Sequence, residues 1–418
     1  MSSSLTWLAY SESERRQTQE VIRRFDEPGT LDEIGVGRIR DSLAGQLFPG
    51  TSTLHTRARY FLFIPWIYRE LEARSPVGRD AAQRARDREV RLINALLRQS
   101  ELDGAKLPSG EPIDAVGIIG ERAGKDLTQL PSEAYWNPLR IWGIRTVEGS
   151  RSACHRQLEQ MDLRRPQTDE DGEPIAGAPT SWWDGQLPEA PKDFLHCTTM
   201  TLSYAEASYL RERVTMMIPD SALAQLIAVE EPLESTDGAW DQPRAIRDQL
   251  SETNRELIRL ADQFATLFHG ASHLYELLVA EEAGSSGGAD TVRERLETWH
   301  REVADRELEL REWRDDLPRF WEVVAKSNPR IPSLGERAFV ESWARLALSG
   351  ADLAASQEAR DLIRDRERQL KRGLARLSNP SALDAWQGPT SGRRLVFRWP
   401  NAQRLITDIH HGLGIGSA

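Results

Sequence analysis

From Val292 onward, apolar side chains recur at helical spacing. Leu296, Trp299, Val303, Leu310, Trp313 and Leu317 follow at four- and three-residue intervals, with Arg306 in one of the inward slots. A repeat of this kind puts every member on one stripe of a helix, the pattern two helices use to pack along each other. Upstream, Leu250, Leu257, Phe264, Leu267, Ala271, Leu274 and Leu278 carry a similar repeat, and Gly284-Ser285-Ser286-Gly287-Gly288 separates the two runs. The spacing predicts a long antiparallel helical hairpin whose second arm bends or stops near Pro318, because proline lacks a backbone donor and its ring crowds the preceding turn. Further helices are expected at about 12 to 25, 36 to 47, 52 to 74 with a kink at Pro65, 80 to 100, 115 to 124, 132 to 142, 336 to 349 and 354 to 377. Leu395, Phe397 and Trp399 alternate with Val396 and Arg398, a period of two that predicts a small β element near the carboxyl end. The expected fold class is therefore mainly α and multi-helical, with that hairpin and that β element.

Proline, glycine and acidic clusters divide the 418 residues into four expected segments. These are an N-terminal helical domain (1–162), a Pro/acidic linker (163–192), a hairpin domain (193–330) and a C-terminal helical segment (331–418). The linker holds five prolines and the run Asp169, Glu170, Asp171, Glu173, which oppose helix, and Trp182 and Trp183 are expected to dock its end on a neighbouring surface.

A formal net charge of −11 denies the molecule a general electrostatic grip on nucleic acid or an anionic membrane, so any such contact must be a local basic patch. Cys154 and Cys197 lack C-x-x-C spacing and are too few to staple a chain this long. The longest apolar run, Tyr60 to Tyr68, is far shorter than the roughly 20 residues of a membrane span. The amino terminus also lacks a basic start followed by an apolar stretch, and the expected location is the cytoplasm with no membrane contact.

No complete catalytic or cofactor motif occurs. Gly284 to Gly288 fits G-x-S-x-G by letter but joins two helices, where a nucleophile elbow needs a strand before it. Gly120 to Asp126 approaches a phosphate loop, yet three residues separate the glycines where four are needed, and Asp126 replaces the metal-binding hydroxyl. His269, His273 and Glu276 have the spacing to present two imidazoles and a carboxylate on one helix face, but Gly270 follows the first histidine and the general-base glutamate of a zincin is missing. The adjacent His410 and His411 are a still poorer ligand pair. No cofactor is expected.

Two stretches suit nucleic acid. In the first, Ser52 or Thr51 caps a helix whose early turns carry Thr53, Thr56, Arg57, Arg59 and Tyr60, groups able to meet phosphate at a helix amino terminus. In the second, residues 117–146 read as helix, turn, helix, with Ser132 as cap and Trp136, Arg140 and Arg145 near a duplex. An ordinary helical hairpin with solvated arginines fits the same residues.

The stretches FPGTSTLHTRARYFLFIPWIYRELE, LPSEAYWNPLRIWGI, HGASHLYELLVAEE and LKRGLARLSNPSALDAWQGPTSGRRLVFRW together resemble an uncharacterised bacterial family, domain of unknown function 6361. The likeness spans nearly the whole chain in order and transfers no catalytic residue. It implies a bacterial cytoplasmic protein in a setting of defence against phage or mobile DNA. The function expected is that of a noncatalytic component contacting DNA through a local basic patch or protein partners through the hairpin. The alternatives are an enzyme whose site, metal-dependent or not, is dispersed in sequence, and a structural assembly subunit.

Overall fold

The computed structural model describes residues 34–103, 117–120, 129–160, 181–327, 331–389, 392 and 394–416. The helix expected at 12 to 25, residues 121–128 of the expected helix-turn-helix and phosphate-loop stretches, and residues 163–180 of the linker lie outside the described residues. In chain order the helices are α1 (Gly37–Leu47), α2 (Tyr60–Glu72), α3 (Ala81–Asp103), α4 (Pro131–Ile141), α5 (Arg151–Gln160), α6 (Tyr204–Met217), α7 (Ala222–Ala228) and α8 (Arg244–Arg247). They continue as α9 (Glu252–Glu282), α10 (Ser286–Asp305), α11 (Glu307–Asp315), α12 (Leu317–Ala325), α13 (Leu334–Ala347), α14 (Gln357–Lys371), α15 (Pro380–Leu383) and α16 (Trp399–Gly412). The expected mainly helical class holds. Among the described residues the only β pairing is an isolated antiparallel bridge between Arg145 and Trp183.

Several helix starts follow from local chemistry. Ser203 and Ser333 each accept from the backbone N–H three residues on, while Glu206 and Glu336 reach back to the serine N–H, so two otherwise orphaned donors are satisfied at each end. Ser221 and Ser356 cap α7 and α14 in the simpler way.

Three expectations are corrected. The helix predicted from residue 52 starts at Tyr60 with Arg59 as its cap, because Thr51 Oγ1 donates to Phe48 O (2.7 Å) and Ser52 Oγ accepts from Leu54 N (3.2 Å). Hydroxyl side chains that bond nearby backbone stabilise turns in competition with helix. The expected β element near the carboxyl end is not formed. Leu395, Phe397 and Trp399 are indeed buried, but Phe397 and Arg398 take positive φ (47° and 64°) and turn the chain directly into α16. Alternation of apolar residues here reflects alternate burial without a partner strand. The stretch after Val292 is three helices and not one arm: it is broken at Arg306, which was not expected, and at Asp316, the stop expected near Pro318, which itself sits in the first turn of α12, where its missing N–H leaves no helical bond unmade. Arg306 occupies an inward slot because its guanidinium bonds Asp262 Oδ2 (2.6 Å) and Thr266 Oγ1 (2.8 Å), and the chain kinks around it.

The chain forms two compact units, each built from separated stretches: Met1–Ser42 with Leu260–Leu395, and Leu43–Arg259 with Val396–Ala418. In the first, Phe264, Phe268, Trp313 and Phe320 make a run of ring contacts. Trp299 and Trp343 bury there with their Nε1 donating to the carbonyls of Thr266 and Leu267, satisfying the indole that would otherwise oppose burial. Arg366 donates to the carbonyls of Ile34 and Gly35 (both 2.9 Å), fastening that early stretch to α14.

The second unit is organised around the segment 48–68. Phe61 stacks on Trp142 with centroids 3.7 Å apart and an interplanar angle of 5°, and Tyr135 packs edge-on against Phe61 and flat against His55. Trp142 Nε1 donates to Pro49 O (3.2 Å). Gly50 has φ +74°, and a Cβ there would lie 2.6 Å from Trp142 Nε1, so both its backbone and its neighbour require glycine. Trp182 and Trp183 are buried as expected, with Trp182 N donating to Glu72 Oε1 (3.1 Å). Helix α2 packs on α3 and α4, α3 on α5, and α16 on α6 and α7.

Candidate nucleic-acid interface

Of the residues that sequence reasoning singled out in 52–60, Thr56, Arg57, Arg59 and Tyr60 are engaged by internal partners. Arg57 Nε donates to both carboxylate oxygens of Asp408 on α16 at 3.0 Å, and Ala58 N adds a bond to Oδ2 (2.8 Å). Burial pushes the Asp408 carboxyl upward, and the Arg57 charge opposes that shift. Arg59 is buried, its guanidinium bonded to Thr199 O (2.8 Å) and Glu206 Oε1 (2.7 Å) and lying over Phe63. Thr56 Oγ1 donates to Gly117 O, and Tyr60, fully buried, accepts from Ile119 N through its hydroxyl. Thr53 is exposed and Ser52 half-exposed.

The second stretch is similarly engaged. Ser132 is not a cap. Leu130 precedes α4 and Glu133 bonds its N–H. Fully buried, Ser132 donates through both N–H and Oγ to Glu89 (2.8 Å each), and its Oγ accepts from Arg151 Nη1 (2.8 Å). Burial pushes the Glu89 carboxyl up to about 7, a rise that the Ser132 bonds limit. Trp136 is buried with Nε1 on Gly149 O, and the Arg145 guanidinium lies 4.9 Å from its ring centroid. Arg145 donates to the carbonyls of Trp136 and Val147 and is lowered in pKa by burial. Arg140 reaches the surface, where it pairs with Glu148 (Nε to Oε1 2.9 Å).

The histidine pair lies in the other unit. His269 and His273 have ring centroids 4.1 Å apart; His269 Nε2 bonds Gly392 O, and Glu276 faces Arg295 at 3.5 Å. Burial, the neighbouring His269 and Arg295 hold His273 down at about 3. Among the described residues no group of three or more His, Cys, Asp or Glu side chains is arranged to hold a metal ion. His410 Nε2 bonds Ile227 O. The unit that holds His269 and His273 carries an open groove of about 760 Å³ between α10 and the loop 350–355, lined by Glu281, Arg293, His300 and Asp352 among others. Its Glu281 is clamped by Arg293 and Arg360.

Exposed cations without an internal partner stand elsewhere. Arg84, Arg91 and Arg98 on α3 are exposed, and among the described residues none of their guanidiniums has a hydrogen-bond or ion-pair partner. Seven-residue spacing brings them back to nearly the same angular position, about 10.5 Å apart along the axis. The inward face of α3 explains their orientation: Ala85, Glu89, Leu92, Ile93 and Leu96 are buried, and the arginines fall on the opposite side. Asp87, Asn94 and Glu101 share the exposed surface one step to the side. The regular arginine spacing was available in the sequence, but only a helix with a defined buried face gives it meaning.

A family model matches residues 1–412. The chain belongs to DUF6361, a family of unknown function. No curated protein and no solved structure matches it. In this DUF6361 member the 48–68 segment that marks the family resemblance is the hub of a packed unit, and no helix of the described residues is long and apolar enough to cross a membrane.

Proposed function

We propose that this protein is a noncatalytic binding component that engages an anionic macromolecule through the arginine face of α3. The observation that carries the reading is the division of labour among arginines. Arg57, Arg59 and Arg145 are spent on internal acceptors, whereas Arg84, Arg91 and Arg98 present three unpaired charges in line. In a chain of net charge −11, unpaired guanidiniums in register form a local attraction that the molecule as a whole lacks. A role against phage or mobile DNA is the setting that such a contact would serve. In the same reading α9 and the broken arm α10–α12 act as a scaffolding hairpin, supported by side-chain contacts that run in reverse order: Glu281 with Arg293, Thr266 with Trp299, Gln263 with Glu309.

Heparin chromatography tests the reading. The wild type is expected to be retained at low salt, and the triple variant Arg84→Gln, Arg91→Gln, Arg98→Gln to pass through with an unchanged circular dichroism spectrum. Equal retention of the two proteins would refute it.

A further inference from the structure

Resting on that reading, we infer that the anionic partner is duplex nucleic acid, held by its phosphate backbone without base readout. The three arginines of α3 cover about 21 Å of helix axis in two steps of about 10.5 Å. That spacing is close to the roughly 12 Å width of the major groove, so one neighbouring pair of guanidiniums reaches phosphates on opposite rims while the helix lies across them, and the third, on its long flexible stem, meets the backbone beyond. A protein surface would have to supply three carboxylates at matching intervals, whereas a duplex supplies phosphates at every register.

The neighbours of the stripe set the mode of contact. Asp87 and Glu101 lie to one side of it on the exposed surface. A helix driven into the groove would press both carboxylates toward phosphate, and a helix resting on the rims keeps them in solvent. Contact by the arginine edge alone leaves no side chain at the base edges, and phosphate contacts carry register without sequence.

Three phosphate contacts fix the salt response. The logarithm of the association constant should fall with the logarithm of salt at a slope of about −2.7, from about −0.9 per contact. Fluorescence anisotropy with the full chain, two 20-base-pair duplexes of unrelated sequence, and labelled heparin as a sequence-free polyanion measures this. The expected result is equal affinity for the two duplexes, a wild-type slope between −2 and −3, and a loss of about 0.9 in slope for each single Arg84→Gln, Arg91→Gln or Arg98→Gln change. Arg247→Gln, an exposed arginine on α8, is the control that should leave the slope unchanged. Heparin binding without duplex binding would overturn the inference and leave the anionic reading standing. Binding of neither would overturn both, and a tenfold preference between the duplexes would overturn backbone-only recognition.

Discussion

Replacing Glu89 by glutamine should remove a pH dependence from the stability of the second unit. Glu89 is fully buried on α3, and its two oxygens take the Ser132 N–H and Oγ at 2.8 Å. Burial raises its folded pKa from 4.5 to about 7, with the Ser132 bonds and Arg151 pulling the other way. A carboxyl raised in the folded state binds its proton more tightly there than in the unfolded chain. Its stabilisation is therefore complete below about 4.5 and is lost as pH rises through about 7. At about 1.36 kcal/mol per pH unit, the difference is about 3 kcal/mol as an order of magnitude. Glutamine reproduces the protonated group, its oxygen accepting from Ser132 N–H and its amide donating to Ser132 Oγ. Urea unfolding of the full chain, followed by tryptophan fluorescence from pH 4.5 to 8, should show Glu89→Gln close to wild type at the acid end and more stable by about 3 kcal/mol at the basic end. Glu72 is also raised by burial to about 7 and has the same sign, so it is the difference between the two proteins that isolates Glu89. Glu89→Ala, which strands the Ser132 donors and leaves a void, should cost about 2–4 kcal/mol at the acid end, a cost that shrinks by about 3 kcal/mol toward the basic end as the wild type loses the same contribution. A difference curve that is flat, or that slopes the other way, would refute the reasoning.

Arg59→Met leaves Glu206 buried without its cation and should lower stability by about 3–5 kcal/mol, measured by denaturant midpoint, with Arg59→Met plus Glu206→Gln recovering part of the loss. Gly50→Ala forces a side chain into a positive φ against the Trp142 indole and should cost about 1–3 kcal/mol; an unchanged melting temperature would show that the turn relaxes. His273 is held down at about 3, first by burial and then by His269 and Arg295, so its contribution is present above the unfolded value near 6.5 and is lost as pH falls toward 3. His273→Gln should flatten the acid limb of a thermal-denaturation series, and an unaltered limb would discount the histidine.

Helix content and the start of α3 were legible because they depend on residues within a turn or two of each other. Residues 52–60 were read as a helix start because serine, threonine and arginine there have the right local chemistry; the turn at Thr51 and Ser52 won through equally local bonds that competed with helix. Arg306 could be seen in an inward slot, but the acceptor that draws it there, Asp262, lies 44 positions away. The unpaired arginines of α3 were countable in the sequence and yet not separable from the paired ones.

The amino-acid order alone therefore settled the class of the fold, a chain of capped amphipathic helices, since period and capping act over a few residues and need no partner. Which arginines remain available to a ligand was decided only by the tertiary structure. Asp408 stands 351 positions from Arg57, and Glu206 stands 147 from Arg59. A guanidinium desolvated beside a remote carboxylate is withdrawn from the surface, whereas those of α3 stay in water because the opposite face of their helix is the one that is buried.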